Sequence, residues 1–458
     1  MELAIIIVFI LGYLFITLEH TIKIDKLVPA LLMMSISWAL IAFGLENFSE
    51  WFDSSNHKLV DGFKNLPHHS ENHGASKTSW FENSLLHHFG KTCEILIFLI
   101  GAMTIVEIID HFNGFATIKS FIRTKKKSIL LWIMCILAFI LSAIIDNLTA
   151  TIVLITILRK LIKESKDRLW FTGLIIIAAN AGGAWSPIGD VTTTMLWMGK
   201  KVSTFELIRL LILPSFLCMI VPTAIASFLK PFKGEFTPPD ENSKEVKHGS
   251  TMLYLGLLAI VFVPIFKTVT HLPPYVGMML SLAIVTLVAE ILSSREFSLN
   301  QLATSNNIES TAHSSSPVFR ALSKIEMPSI LFFLGILMTV AALESLGIVF
   351  NLGNSVQKAI PINIFVILLG AGSAIIDNVP LVAASMGMFD LEVDNPIWHF
   401  IAYSAGTGGS MLIIGSAAGV VAMGMEKISF FWYFKNIAWL ATLGYLTGAC
   451  SFLLFQSI

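Results

Sequence analysis

The chain has 458 residues, of which 55% are hydrophobic and only 13% charged, with a formal net charge of −1 and a mean hydropathy of +0.76. Soluble domains carry roughly 25% charged residues, so this composition excludes a soluble globular fold and points to a lipid bilayer as solvent. A transmembrane β-barrel is excluded too, because its strands alternate apolar and polar residues, whereas apolar runs here continue unbroken over 3–18, 27–43, 207–229, 275–292 and 428–455.

Each of those runs is long enough, or nearly so, to cross about 30 Å of hydrocarbon. The first, MELAIIIVFILGYLFITLEH, begins with an acid and lacks a small-residue cleavage site, so a retained helix is expected rather than a cleaved signal. Cys93, Cys135, Cys218 and Cys450 are scattered through apolar segments without CxxC spacing and read as core residues, with no disulfide or metal framework.

Loop charge gives an orientation span by span. Residues 19–26 carry Lys23 and Lys26, residues 45–92 are rich in acids and histidines, and 119–127 reads KSFIRTKKK. An N-terminus outside, with 19–26 and 111–127 in the cytoplasm, satisfies all three. The histidines His57, His68, His69, His73, His87 and His88 suggest either a pH sensor or a metal site; a solvated loop is the expected reading.

The apolar stretch 128–158 holds Asp146 and is followed by the basic RKLIKESKDR at 159–168. Both flanks therefore read as cytoplasmic. The stretch is too long for one span and too short for two, which fits a helical hairpin turning near mid-membrane with its tip at 146–149. Residues 361–388 repeat the pattern with acidic flanks, and the string SAIIDN occurs at 142–147 and again at 373–378. Two hairpins entering from opposite faces define an inverted repeat.

Glycines follow each hairpin in step: Gly182, Gly183 and Gly189 in ANAGGAWSPIGDVTTT, then Gly408, Gly409 and Gly415 in SAGTGGSMLIIGSAAG. Unwound backbone at membrane depth is tolerated only beside a protected cavity, so both segments read as broken helices. The expected fold is an all-α polytopic membrane protein with two inverted-topology repeats, each holding a re-entrant hairpin and a broken helix. Its parts are 1–93 (two N-terminal helices and the His-rich loop), 94–230 (hairpin 128–158, broken helix 169–197), 231–327 (linking helices and loops) and 328–458 (hairpin 361–388, broken helix 397–424).

An ionisable group at bilayer depth costs on the order of 2.5–3.5 kcal/mol, which makes Asp146 and Asp377 the leading functional candidates. The alternative is a carboxylate that merely caps a helix. Asn147 and Asn378 can cap or can ligate through their amide oxygens. Further oxygens suited to a hard cation lie nearby in sequence: Thr149, Asn180, Asp190, Thr192, Thr193, Ser373, Thr407 and Ser410. For any one hydroxyl, a bond to its own helix is the plainer reading. Glu107 and Glu344 end the helices that lead each half and are candidate proton carriers or interfacial acids. No P-loop, nucleophile elbow or HExxH motif occurs, so no enzymatic activity is expected.

The strings SAIIDNLTATIV, AANAGGAWSPIGDVTTTMLW, ALSKIEMPSILFFLGILMTVAALESLGI and GSAIIDNVPLVAA resemble those of the NhaD-type sodium/proton antiporters of the ion-transporter superfamily. The resemblance covers most of the chain from about residue 94 onward. It implies functional positions at Glu107, Asp146, Asn147, Asn180, Asp190, Thr192, Thr193, Ser373, Asp377 and Asn378, with Thr407 and Ser410 besides. It further implies exchange of Na⁺, with Li⁺ as a second cargo, for H⁺ at Asp146, Asp377 and their neighbours. The proton would be carried by Asp146, Asp377, Glu107 or Glu344. No cofactor and no nucleic-acid partner is implied; an inner-membrane location, an outside N-terminus and a homodimer are. The alternative within the superfamily is a Na⁺-coupled anion symporter for dicarboxylate or arsenite. An Asp before each hairpin asparagine favours the cation exchanger.

Overall fold

The computed structural model describes residues 1–68, 76–120, 122, 124–236, 248–301 and 316–456. The protein is an α-helical assembly whose sole β-ladder among these residues is the two-residue pairing of Phe52–Asp53 with Lys58–Leu59. Eight of the described helices are long and apolar enough to cross a membrane. Their outer faces carry large apolar side chains such as Phe43, Leu258, Val269 and Leu287, which only a lipid environment makes inexpensive. Pro214, Pro222 and Pro264 sit inside long helices, a position that neighbouring helices make tolerable at membrane depth.

The first two long helices, Glu2–Thr17 and Leu27–Gly44, pack against each other, and the latter lies against Met327–Ser345. The expected loop 45–92 is shorter than its polarity suggests. From Lys77 onward it joins a single 35-residue helix, Lys77–His111, started by a capping box in which Ser76 and Ser79 satisfy each other's backbone N–H. Polar side chains at 77–92 had masked this helical extension, and the boundary expected at 93/94 falls inside it. The linking helices run Gly249–Thr270 and Pro274–Gln301. His69, His73 and residues 302–315 lie outside the described residues. The four cysteines are free; Cys135 and Cys218 are buried, Cys93 is partly so, and Cys450 is exposed rather than in the core.

Both SAIIDN copies fall where a helix stops and another begins. The first arm, Lys127–Ile145, ends at Asp146, which caps the returning arm Asn147–Leu161. With 19 residues, at 1.5 Å each, the first arm is about 28 Å long and would nearly span a bilayer. The second pair of arms, Ile362–Ser373 and Asn378–Met388, is shorter, at 12 and 11 residues. Contacts mark the open end of each pair. Lys127 Nζ is 2.5 Å from Asp167 Oδ2 just beyond the first return arm, and the Phe365 and Phe389 rings of the second pair are 5.7 Å apart.

After each pair comes an interrupted helix: Ser165–Ala184 with Val191–Met198, then Pro396–Gly408 with Ala417–Glu426. The two are built alike. Asp190 and Ser416 start the second halves with nearly the same extended backbone, φ −148° and −143°. Ser142 Oγ donates to Ala179 O and Ser373 Oγ to Ala405 O, so the serine of each copy pins its arm to the following broken helix.

Glycine permits that pinning. A Cβ on Gly182 would stand 2.2 Å from Phe139 O, and one on Gly408 2.1 Å from Gly370 O. In both cases backbone meets backbone, which cannot rotate away.

At one end of the molecule, Arg159 and Arg168 both reach the Glu426 carboxylate, at 2.6 and 2.9 Å, and that carboxylate is only 1% exposed. At the far end of the same broken helices, Asp394 N donates to Lys201 O and Ser203 N to Asp394 Oδ1.

Two stability outcomes follow from these contacts. Gly182→Ala and Gly408→Ala should each lower stability by about 1–3 kcal/mol through overpacking, read as thermal unfolding in detergent. Gly90→Ala, with open space around its Cα, should not lower it. Glu426→Ala should cost about 1.5–3 kcal/mol, because it removes the buried carboxylate to which both arginines hydrogen-bond.

Candidate functional site

The asparagines of the two tips meet at one carboxylate. Asn147 Nδ2 donates to Asp190 Oδ1 at 3.3 Å and to Asn180 Oδ1 at 2.9 Å. Asn378 Nδ2 donates to Asp190 Oδ2 at 3.0 Å. Asp190 also accepts from its own neighbours, Val191 N at 2.9 Å and the Thr192 hydroxyl. Asn180 Nδ2 in turn donates to Ser416 Oγ at 3.0 Å, so the chain of bonds runs from the first tip through the first broken helix to the second. Asn147, Asn180, Asp190, Asn378 and Ser416 are all buried.

A buried carboxylate needs donors on its lone pairs, or its charge is left in a medium that cannot solvate it. Asp190 has four. Asp146 has two close ones, Thr149 N at 2.7 Å and Thr149 Oγ1 at 2.9 Å, the arrangement of a helix cap. Its backbone is left-handed, φ 83° and ψ 158°, a conformation that costs a non-glycine residue on the order of 1–3 kcal/mol. The cap offsets part of that. Asp377 is served less well: Val379 N is 3.4 Å from Oδ1.

Asp146, Asp190 and Asp377 line one cavity of about 70 Å³, together with Asn147, Asn378 and Lys26. The sequence expectation put Asp146 and Asp377 at the centre and Asp190 among flanking oxygens. In the structure Asp190 is the junction, and the other two acids face the same space from either tip. Lys26, read from sequence as a loop charge marking the cytoplasmic side, instead reaches Asp377, with Nζ 3.8 Å from Oδ2.

The remaining candidates divide. Thr192 and Asn180 hold Asp190 and Asn147 in place. Thr193, Ser373, Thr407 and Ser410 use their hydroxyls on backbone carbonyls: Asp190 O, Gly370 O and Ala405 O, Tyr403 O and Thr407 O respectively. None of these four lines the cavity. Glu107 stands apart, partly exposed with Asp110 near Lys324 Nζ.

Glu344 lines a different and larger cavity, about 540 Å³, with Ser54, His57, His88, Lys201 and Asp390. Ser54 Oγ is 3.0 Å from His88 Nε2. Burial holds the His57 imidazole below the ordinary histidine range and the Lys201 ammonium below that of lysine. Met195 and Met198 border this cavity, while Val191 and Thr194 border the first. The half-helix Val191–Met198 is thus the wall between them. Among the described residues no cluster of three His, Cys, Asp or Glu forms a metal site.

Broken and paired helices that gather three carboxylates around a small cavity define a polytopic membrane protein of the ion-transporter kind. The family model described as citrate transporter, CitMHS, matches residues 13–398. "Sodium/proton antiporter 2" of Arabidopsis thaliana is 41% identical over 378 residues, 81% of this chain and 87% of the relative. "Na(+)/H(+) antiporter NhaD" of Vibrio parahaemolyticus is 33% identical over 387 residues, 79% and 90%. "Sodium/proton antiporter 1" of Arabidopsis thaliana is 43% identical over 392 residues, 84% of this chain, which spans 66% of that relative's length. The chain belongs to the NhaD-type antiporter family within the citrate transporter group.

The bond pattern separates side chains by their use. Asn378→Ala should lower stability by about 1.5–3 kcal/mol, since it takes a donor from a buried carboxylate. Ser410→Ala should stay within about 1 kcal/mol, both measured by thermal unfolding.

Proposed function

We propose that the chain is a secondary active transporter that exchanges Na⁺, with Li⁺ as a second cargo, for H⁺ at the cavity lined by Asp146, Asp190 and Asp377. The observation that carries this reading is the convergence of three carboxylates on a space of about 70 Å³, with asparagines from both tips fixed on the middle one. A proton and a small cation each relieve the same buried negative charge. Occupancy by one therefore excludes the other, and exchange is coupled without a second site. The relatives' names supply the ion pair, sodium and proton.

The same proposal takes the two halves as an inverted repeat. Its support is the way contacts sort by end. The open end of the first hairpin lies with Asp167, Arg168 and Glu426, whereas that of the second lies with the Phe389–Asp394 segment, bonded to Lys201 and Ser203. Each broken helix runs from one set to the other, in opposite senses. Rocking of one half against the other would then open the cavity alternately to either side. An inner membrane, an N-terminus outside and assembly as a homodimer complete the proposal.

A Na⁺-coupled anion symporter is the second reading, favoured by the citrate description of the family model. Three carboxylates against one ammonium make the cavity repel a citrate or dicarboxylate. In liposomes carrying a pH-sensitive dye, Na⁺ and Li⁺ should drive proton release, and added citrate should not change it. Asp146→Asn, Asp190→Asn and Asp377→Asn should each cut the rate by about tenfold or more, which corresponds to ~1.4 kcal/mol of lost interaction. Wild-type rates in all three would refute the mechanism.

A further inference from the structure

Among the described residues, Lys26 is the sole Lys or Arg lining the three-carboxylate cavity. It comes from the short connection between Glu2–Thr17 and Leu27–Gly44, outside both hairpins and both broken helices. Its ammonium lies 3.8 Å from Asp377 Oδ2 and 4.5 Å above the Phe332 ring. A tight ammonium–carboxylate pair closes to about 2.7–2.9 Å, so this one is loose. Asp377 is also the least satisfied of the three acids, with one long backbone donor where Asp190 has four and Asp146 two.

The pair also sits at a partition. Lys26 and Asp377 border the ion cavity on one side and, on the other, a crevice of about 50 Å³ lined by Tyr13, Thr17, Glu19, Ile376 and Ile414. The Tyr13 hydroxyl there is buried without a hydrogen-bond partner. A flexible four-carbon stem lets an ammonium leave one carboxylate for another position nearby. The aromatic face of Phe332 and the carboxylate of Glu19 are such positions.

Resting on the Na⁺/H⁺ reading above, we propose that Lys26 is a tethered counter-cation: it occupies the Asp377 arm of the site when Na⁺ is absent, and Na⁺ must displace it to bind. Lys26 acts by competition. It is an affinity-setting residue, which makes the N-terminal helix pair part of the transport site.

The test compares Lys26→Gln and Lys26→Arg with the unmodified chain, at alkaline pH, where protons compete least. Lys26→Gln should lower the apparent KM for Na⁺ about fivefold or more, and Lys26→Arg should leave it near the unmodified value. To guard against misfolding, Lys26→Cys is made in a Cys93→Ser, Cys450→Ser background. It should show the same lowered KM, and aminoethyl methanethiosulfonate, which restores an ammonium at that position, should raise the KM again. An unchanged KM in Lys26→Gln, or no effect of the added ammonium, would overturn the inference and leave a merely structural ion pair. Equilibrium binding of radioactive Na⁺ to the detergent-solubilised variants reads the same competition without transport. Failure of the unmodified chain to exchange would thus fall on the functional reading alone.

Discussion

The shared carboxylate of Asp190 is the constraint on which the site depends. A charge at this depth needs several donors, and here two of them arrive from asparagines on different hairpins. The bonds hold each tip against the other and against the break in the first broken helix. Together with the Ser142 and Ser373 bonds to the broken helices, they set where Asp146 and Asp377 stand relative to each other. Geometry and electrostatics are therefore one problem at this centre: the network that keeps the middle acid solvated by protein is the network that assembles the cavity.

The two helix breaks share local contacts and differ in charge. Ser142 and Ser373 make the same bond to a broken helix. Gly183 faces Gly189 O as Gly409 faces Gly415 O, each with a would-be Cβ at 2.6 Å. In that frame Asp190 corresponds to Ser416, and the two are linked through Asn147 and Asn180. One break supplies the charge and the other a hydroxyl, so similar local frames surround an asymmetric site. The motif acids differ as well: Asp146 is left-handed, whereas Asp377 has φ −48°.

Much of this was legible in the chain because it is local. A repeated SAIIDN inside apolar runs marks two helix ends, since Asp favours an N-cap, and paired glycines mark where backbones approach. What stayed hidden is long-range. Asp190 owes its central place to residues 43 and 188 positions away, and no spacing rule announces such a meeting. Lys26 misled for a related reason: loop charges are read for the side of the membrane they mark, which says nothing of how far inward a side chain reaches. The helical stretch 77–92 was obscured by its polar surface, although Ser76 and Ser79 stood ready to start it.

The Glu426 contact bears on how the halves can move. Its carboxylate is clasped by Arg159, from the end of the first return arm, and by Arg168, from the start of the first broken helix, while Glu426 itself closes the second. Three elements are thereby pinned at one spot, on a carboxylate that is itself shielded from water. Any swing that leaves this clasp intact must treat it as a fulcrum, so displacement grows along the helices toward the opposite end, where Lys201, Ser203 and Asp394 meet through single hydrogen bonds.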